Sequence, residues 1–539
     1  MDIALNLKQK IQNALSKLGQ EVSLNDIIIE KSKDTAHGDY ATNAAMKFSR
    51  LFSKSPRDVA SLIIENIDLD GIDKIEIAGP GFINIFMKND SLQVFVKKII
   101  DEDENFGRSP RNNQKVNVEF VSANPTGLLH VGTARGAAIG DSICRILDFA
   151  GYDVTSEYYI NDAGSQITNL ALSIQARYKE LFGIKAEIPE DGYAGQDIID
   201  IAQQIKDEIG NQALKMDDPL SYFKDRGMKI ELDRIINDLA TFRVKHDVFS
   251  SEKAIRANNA IEKEIDFLKD YVYEEDGALY LRTTAFIDDK DRVIRKGNGD
   301  YTYFMPDICY HVNKMSRGFD QLIDVLGADH HGYINRMKSA LMMHGYKEDA
   351  LHIELIQMVR FLKDGQEFKA SKRRGDAITL RDVCEEVGVD AMRYFFAMRA
   401  ASTHLDFDMD LAIEQSSNNP VYYAQYAHAR LCSILDQGKD IPIDESAKNL
   451  KEVSELALLK HLADFGNVVT DAAKDKAPYK VANYIHALAE LVHAFYNECH
   501  VVDRENLEIS GSRLALVKAS KIVLKKALAL IGVSAPIHM

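Results

Sequence analysis

Cysteine is scarce in this chain. Only 5 are present, Cys144, Cys309, Cys384, Cys432 and Cys499, and no two form a C-x-x-C pair. That spacing encodes neither a zinc ribbon nor a disulfide framework, and scattered reduced thiols fit a cytoplasmic protein. Long uncharged apolar runs are missing, so no membrane span is expected. The first residues, MDIALNLKQKIQNAL, are amphipathic and lack both a secretory core and a small-residue cleavage site. Internal repeats and low-complexity segments are also missing. There is no basic excess: 66 Lys and Arg stand against 82 Asp and Glu, a net charge of -16. An acidic total favours solubility and excludes a general polycation that coats nucleic acid, while leaving room for a local basic face.

What remains is ordinary globular composition, 46% hydrophobic and 27% charged over 539 residues, which excludes disorder and a collagen-like fibre. At about 150 residues per domain, three or four domains are expected. Residues 1–110 read as a small α+β module. Leu5, Ile11, Leu15 and Leu18 recur at helical spacing, and KIEIAGPGFINIFM alternates like two strands broken at Gly79-Pro80-Gly81. The acidic run Asp101–Glu104 and NFGRSPRNNQ read as a polar linker. Residues 111–405 carry strand–loop–helix–strand order, the pattern of a Rossmann-type parallel sheet, with a helical insertion near 170–270. KVNVEFVSA is its first strand, with Val116, Val118 and Phe120 on one face, and ARGAAIGDSICRILDFAGY its first helix. Strand signals stop after about residue 405, so 406–539 reads as a helical bundle, with Pro478 and Gly532 at helix boundaries. The expected fold class is multidomain α/β plus all-α.

Two loops carry the chemistry. The first, Ala123–Thr133, joins a strand to a helix, where unpaired N–H groups and a partial positive charge bind phosphate. Gly127 and Gly132 permit close backbone approach, and His130 could donate to a phosphate oxygen as its charge grows. Taken alone, the same loop also fits an ordinary turn with an incidental histidine. The second, Phe368–Asp376, places Lys369, Lys372, Arg373 and Arg374 beside Gly375. That is mobile charge of the kind a phosphate-handling loop needs, although basic loops are more often simply solvated. The pairing of the two on separate α/β stretches favours function.

Adjacent Asp329, His330 and His331 look like a metal cluster. They read better as a loop at a strand end, because adjacent histidines point differently and no further Cys or His supports zinc. From Arg513 to the last residue no acid occurs, while Arg513, Lys518, Lys521, Lys525 and Lys526 are cationic. A solvated helix face and a nucleic-acid contact fit this equally.

HVGT resembles the HIGH signature, and KASKR the KMSKS signature, of class I aminoacyl-tRNA synthetases. EFVSANPTGLLHVGTARG, EYYINDAGSQ, YTYFMPDICYH, GADHHGYINRMK and LDFDMDLAIEQSSNNPVYYAQYAHAR resemble arginyl-tRNA synthetases, and the resemblance extends through the final SAPIHM. It implies an N-terminal domain contacting the tRNA elbow, a Rossmann-type catalytic domain and a C-terminal bundle reading the anticodon region. It implies ATP-dependent ligation of L-arginine to tRNA(Arg) through arginyl-adenylate, usually only once tRNA is bound. ATP with Mg²⁺, arginine and tRNA are the implied ligands, with no zinc, no DNA and no membrane, and the chain is expected to act as a monomer. ATP contacts are implied at Gly127, His130, Gly132, Thr133, Lys369, Ser371 and Lys372, with His130, Lys369 and Lys372 catalytic. Contacts with tRNA are implied at Tyr426, Arg430, Lys518, Lys521 and Lys525. Two positions depart from the signatures: Thr133 replaces the second histidine, and Ala370 the methionine. A hydroxyl can still donate a hydrogen bond but cannot carry positive charge.

Arginine presents a planar cation with five donors, so its pocket needs fixed carboxylates and acceptors. By resemblance these are Glu119, Asn124, Tyr303 and Asp307, with Asp307 the main guanidinium partner. Tyr303 and Asp307 share a helical face, and Tyr303 is expected to brace the carboxylate from one turn earlier. Each also fits a structural part when read alone: Glu119 on an edge strand, Asn124 in a turn, Tyr303 in a core, Asp307 as a cap. The rival readings are an RNA-independent nucleotidyl transferase, against which the long helical third argues, and a non-catalytic RNA-binding relative, against which the intact His130 and lysine loop argue.

Overall fold

Local signals set the first elements. Ser55 accepts from the Asp58 N–H at 3.2 Å and Pro56 takes the first helical position, so the helix Pro56–Asn66 begins there. Gly79 and Gly81 both have positive φ and turn the strand Ile72–Ala78 back into Phe82–Met87. The computed structural model describes residues 3–32, 37–368 and 378–539. Its N-terminal unit packs helices on a 4-stranded antiparallel sheet. The first helix, Ile3–Lys17, buries Leu7, Ile11, Ala14 and Leu15. Leu5 lies off that face at 49% exposure, and Leu18 follows the helix end, so the expected stripe is shifted. The expected linker is partly helical. Asp101 and Glu102 close the helix Asn89–Glu102, which packs against the C-terminal bundle, its Gln93 donating to the Leu450 carbonyl at 3.0 Å.

The second unit is built on five parallel strands: β1 (Lys115–Glu119), β2 (Asp153–Ile160), β3 (Val248–Ser251), β4 (Gln321–Gly327) and β5 (Leu351–Ile356), in the order β5-β4-β1-β2-β3. This is the Rossmann-type order, and ligands bind at the carboxyl ends of the strands where the order reverses, here between β1 and β4. The helix α1 (Ala134–Phe149) follows β1 and buries Ile139, Ile143, Ile146 and Leu147, as its periodicity indicates. In β1 the residues between Val116 and Val118 and beyond are buried too, Asn117 and Glu119 included, because a central parallel strand is covered on both faces. The insertion comprises the helices Ser165–Glu180, Gln196–Ile209 and Pro219–Thr241 with their own core. The stretch near 170–270 is therefore not all insertion, since it contains β3. A small antiparallel sheet, residues 272–295, was not visible to periodicity because its strands have only four residues each.

Strand signals do not end cleanly at residue 405 either: Leu405–Asp408 pairs in parallel with Val359–Lys363. Beyond it lie the helices Pro420–Gln437, Val453–Ala463, Phe465–Asp475, Pro478–Glu498 and Leu507–Leu530. Gly532, with φ +69, follows the last of these, and the chain then runs back over the second unit. The Ile531 carbonyl accepts from the fully buried Arg393 at 3.0 Å, Ser534 N–H donates to Asp390 at 2.8 Å, and the Pro536 carbonyl faces His428 Nδ1 at 2.8 Å.

Candidate active site

The chain leaves β1 through a strained turn. Val121 and Ser122 have φ of +72 and +40, a region that costs a β-branched residue roughly 1–3 kcal/mol. The turn is held from β2: Tyr159 N–H donates to Ser122 Oγ at 3.0 Å and Tyr158 OH to the Ala123 carbonyl at 2.6 Å. Ser122 Oγ in turn donates to Glu119 Oε1 at 2.9 Å. Asn124 donates to Gln166 Oε1 at 2.6 Å.

The loop then reaches α1. His130 Nδ1 accepts the Gly132 N–H at 2.9 Å, which leaves Nε2 as the ring's donor. A Cβ at Gly132 would lie 2.9 Å from that nitrogen, so a side chain there would displace the imidazole. Gly127 has open space, an added Cβ meeting only Asp197 at 3.8 Å. The Thr133 hydroxyl donates to the His130 carbonyl at 2.7 Å, so its hydrogen is engaged within the loop. Lys369, Ser371 and Lys372 lie outside the described residues. The segment that follows them is part of the site: Val131 N–H donates to the Ile378 carbonyl at 3.0 Å and Leu380 N–H to the Leu129 carbonyl at 2.8 Å. The flank of the basic loop is thereby hydrogen-bonded to the histidine loop.

On the other side of β1 stands the helix α2 (Phe304–Ser316). Tyr303 precedes it and is 84% exposed, while Asp307 is half-buried one turn later. The phenol that donates to Asp307 belongs to Tyr333, not Tyr303, and comes from the segment following β4. Burial pushes the Asp307 carboxyl up to about 6, against the opposing effect of the Tyr333 hydrogen bond. Beneath lies a buried charged group: Lys314 Nζ is 2.8 Å from both Glu119 Oε2 and Asp324 Oδ1, and His311 Nε2 is 2.7 Å from Asp324 Oδ2. Burial would raise the Asp324 carboxyl, but Lys314 and His311 hold it well below the usual range. Sequence reading missed Ser122, His311, Lys314, Asp324 and Tyr333; the only local signal was their lying within or beside the quoted stretches EFVSANPTGLLHVGTARG, YTYFMPDICYH and GADHHGYINRMK. Asp329, His330 and His331 do sit just past β4. Among the described residues, no group of three or more His, Cys, Asp or Glu could hold a metal ion.

The C-terminal helices carry a separate surface. Tyr422 and Tyr426 stack at 6.1 Å, Tyr426 and His493 at 5.9 Å, and the Arg430 guanidinium lies 4.7 Å from the Tyr426 ring and 4.3 Å from that of Tyr496. The basic tail is less free than its sequence implies. Arg513 pairs with buried Glu455 at 2.6 Å, Lys518 with Glu445 at 3.7 Å, and Lys525 and Lys526 with Glu104 at 2.8 and 3.6 Å.

Comparison with known proteins agrees with this layout. Residues 5–87 match the arginyl tRNA synthetase N-terminal domain, 95–431 the class I (R) tRNA synthetase catalytic domain, and 424–539 the DALR anticodon binding domain. The chain is 49% identical to the arginine–tRNA ligase of Bacillus subtilis over 99% of its own length and 98% of the relative's. It is 50% identical to that of Shouchella clausii over the same shares. Among solved structures, the Thermus thermophilus arginyl-tRNA synthetase shares the fold with a TM-score of 0.78 over 100% of both chains, at 22% identity. A chain from Campylobacter jejuni described as an arginyl tRNA synthetase is 34% identical, with a TM-score of 0.77, over 84% of this chain and 100% of that one.

Proposed function

The chain belongs to the arginyl-tRNA synthetase family, and on that premise we propose which residues carry the reaction. It is an ATP-dependent arginine–tRNA ligase. In the proposed scheme the arginine carboxylate attacks the ATP α-phosphorus, pyrophosphate leaves, and the arginyl group passes from the adenylate to the terminal ribose hydroxyl of the tRNA, releasing AMP.

The observation that supports these roles is the pairing of the histidine loop with the flank of the basic loop at the carboxyl ends of the parallel strands. His130, with Nε2–H as its donor, stabilises charge developing on the phosphates. Gly127 and Gly132 leave the backbone open to ATP, and Thr133 holds the loop through the His130 carbonyl. Lys369, Ser371 and Lys372 complete the phosphate contacts, and Mg²⁺ accompanies the ATP. Asp307 and Glu119 receive the guanidinium, Asn124 the amino-acid backbone, and Tyr303 covers the pocket from its exposed position. Tyr426 and Arg430 contact tRNA through the aromatic surface, where bases can stack, with Lys518, Lys521 and Lys525 at its electrostatic margin. The chain acts as a cytoplasmic monomer without DNA or membrane partners; no described helix is long and apolar enough to cross a membrane.

ATP–pyrophosphate exchange tests the scheme. Exchange is expected only with arginine, ATP, Mg²⁺ and tRNA together. Equal exchange with lysine, or no charging of tRNA, would overturn the proposed pocket.

A further inference from the structure

The charged group beneath the pocket has a countable balance. The Asp307 carbonyl, 2.7 Å from His311 Nδ1, and the Asp324 carboxylate, at Nε2, are both acceptors. Each ring nitrogen must therefore carry a hydrogen, which makes His311 a cation. Lys314 is fully buried between Glu119 and Asp324. Asp307, with its carboxyl near 6, is mostly ionised at neutral pH. The site thus holds the carboxylates Glu119, Asp307 and Asp324 against the cations Lys314 and His311. Neighbouring acids are matched locally, Glu157 by Arg317 at 2.6 Å and Glu252 by Arg256. Burial keeps the Tyr310 and Tyr333 phenols neutral. One negative charge is left over among these groups, with the partly exposed Arg336 lying beyond them, 5.3 Å from the Tyr333 ring.

We infer that the Lys314–Asp324–His311 trio is a specificity-determining support of the arginine site, fixing the pocket's charge so that one bound cationic side chain neutralises it. An uncompensated buried charge is costly, so a neutral ligand of the same shape leaves the cost in place while a guanidinium removes it. The trio also holds the two acids in position, Glu119 through Lys314 and the Asp307 backbone through His311. The inference rests on the reading of Asp307 and Glu119 as guanidinium partners.

Citrulline, the urea isostere of arginine, is the probe. Arginine KM in aminoacylation by the full chain is compared with the inhibition constant of citrulline. Asp324→Asn removes one anion and should lower the arginine-over-citrulline preference by about tenfold or more. Adding His311→Gln removes one cation as well and should restore the preference toward that of the parent. If Asp324→Asn weakens both ligands alike, or the second substitution only adds damage, the trio is a structural support and the inference falls. His311→Gln alone, which serves if Asp324→Asn does not fold, leaves the pocket more negative. It should keep or raise the preference, and a tenfold fall would overturn the inference. Asp307→Asn and Glu119→Gln separate the two levels. If neither moves arginine KM, the pocket reading fails and takes the inference with it; if both do while Asp324→Asn leaves the preference intact, only the trio's role is lost.

Discussion

Tyr333→Phe tests the pocket through pH. The Tyr333 phenol donates to the Asp307 carboxylate, stabilising its charged form against the burial that pushes it up to about 6. Phenylalanine keeps the ring and removes the donor. A hydrogen bond to a charged group contributes ~1.5–3 kcal/mol, and one pKa unit corresponds to ~1.36 kcal/mol. The carboxyl should therefore rise by roughly one to two units, to about 7–8. An acid is charged above its pKa and neutral below it, so arginine binding is lost as pH falls. In the parent, arginine KM should climb as pH drops through about 6. In Tyr333→Phe the climb should begin one to two units higher. At pH 7 the ionised fraction would drop from about nine-tenths to between about half and one-tenth, raising arginine KM roughly two- to tenfold. At about pH 9 the two proteins should converge, because both carboxyls are then ionised. The assay is steady-state aminoacylation across arginine concentrations at a series of pH values, with ATP and tRNA saturating. Superimposable KM–pH profiles would refute the reasoning, and a pH-independent loss would show that the Tyr333 hydroxyl acts otherwise than by stabilising the Asp307 charge.

Other substitutions separate the remaining parts. Asp307→Asn turns an acceptor into a donor facing the guanidinium's own donors, so arginine KM should rise at least about tenfold while ATP KM barely moves in the same assay. His130→Ala should slow adenylate formation by ~10²–10³, read in single-turnover experiments, with tRNA affinity and thermal unfolding at parent values. Tyr426→Ala and Arg430→Met should each weaken tRNA binding by ~1–3 kcal/mol if a base stacks there, measured by filter binding. Replacing Lys518, Lys521 and Lys525 together by Gln should flatten the salt dependence of tRNA binding, by less than three free cations would, because Lys518 and Lys525 already face Glu445 and Glu104. An unchanged salt slope would make those lysines a solvated face.

The histidine loop was legible because its chemistry is local: strand, glycines, histidine and helix follow one another within a few residues. The i, i+4 relation of Tyr303 and Asp307 was legible for the same reason, but its meaning was not. Tyr303 is 84% exposed, and the brace comes from Tyr333, 26 residues beyond Asp307. The buried trio could not be read at all. Lys314 stands 195 residues from Glu119 and, in the last turn of a helix, looks like an ordinary cation near a C-terminus. The lysines of the tail have partners that their own stretch does not show. Their run shows no acid because the acids that meet them, Glu104 and Glu445, are contributed by other parts of the chain. The strained turn at Val121 and Ser122 had no sequence signal either, since neither residue favours positive φ. Helix periodicity placed α1 and the C-terminal bundle, whereas strands of four residues were too short to show an alternation.

The closing contacts of the chain also set an order in time. Arg393 is fully buried and gives one of its hydrogen bonds to the Ile531 carbonyl, while Asp390 receives Ser534. During synthesis both residues leave the ribosome long before their partners exist. Ribosomes add ~5–20 residues per second, so Arg393 waits roughly 7–28 s for the roughly 140 residues that bring Ile531. Over that interval the Arg393 guanidinium lacks one of its acceptors. That acceptor arrives only with the segment that follows the helix Leu507–Leu530.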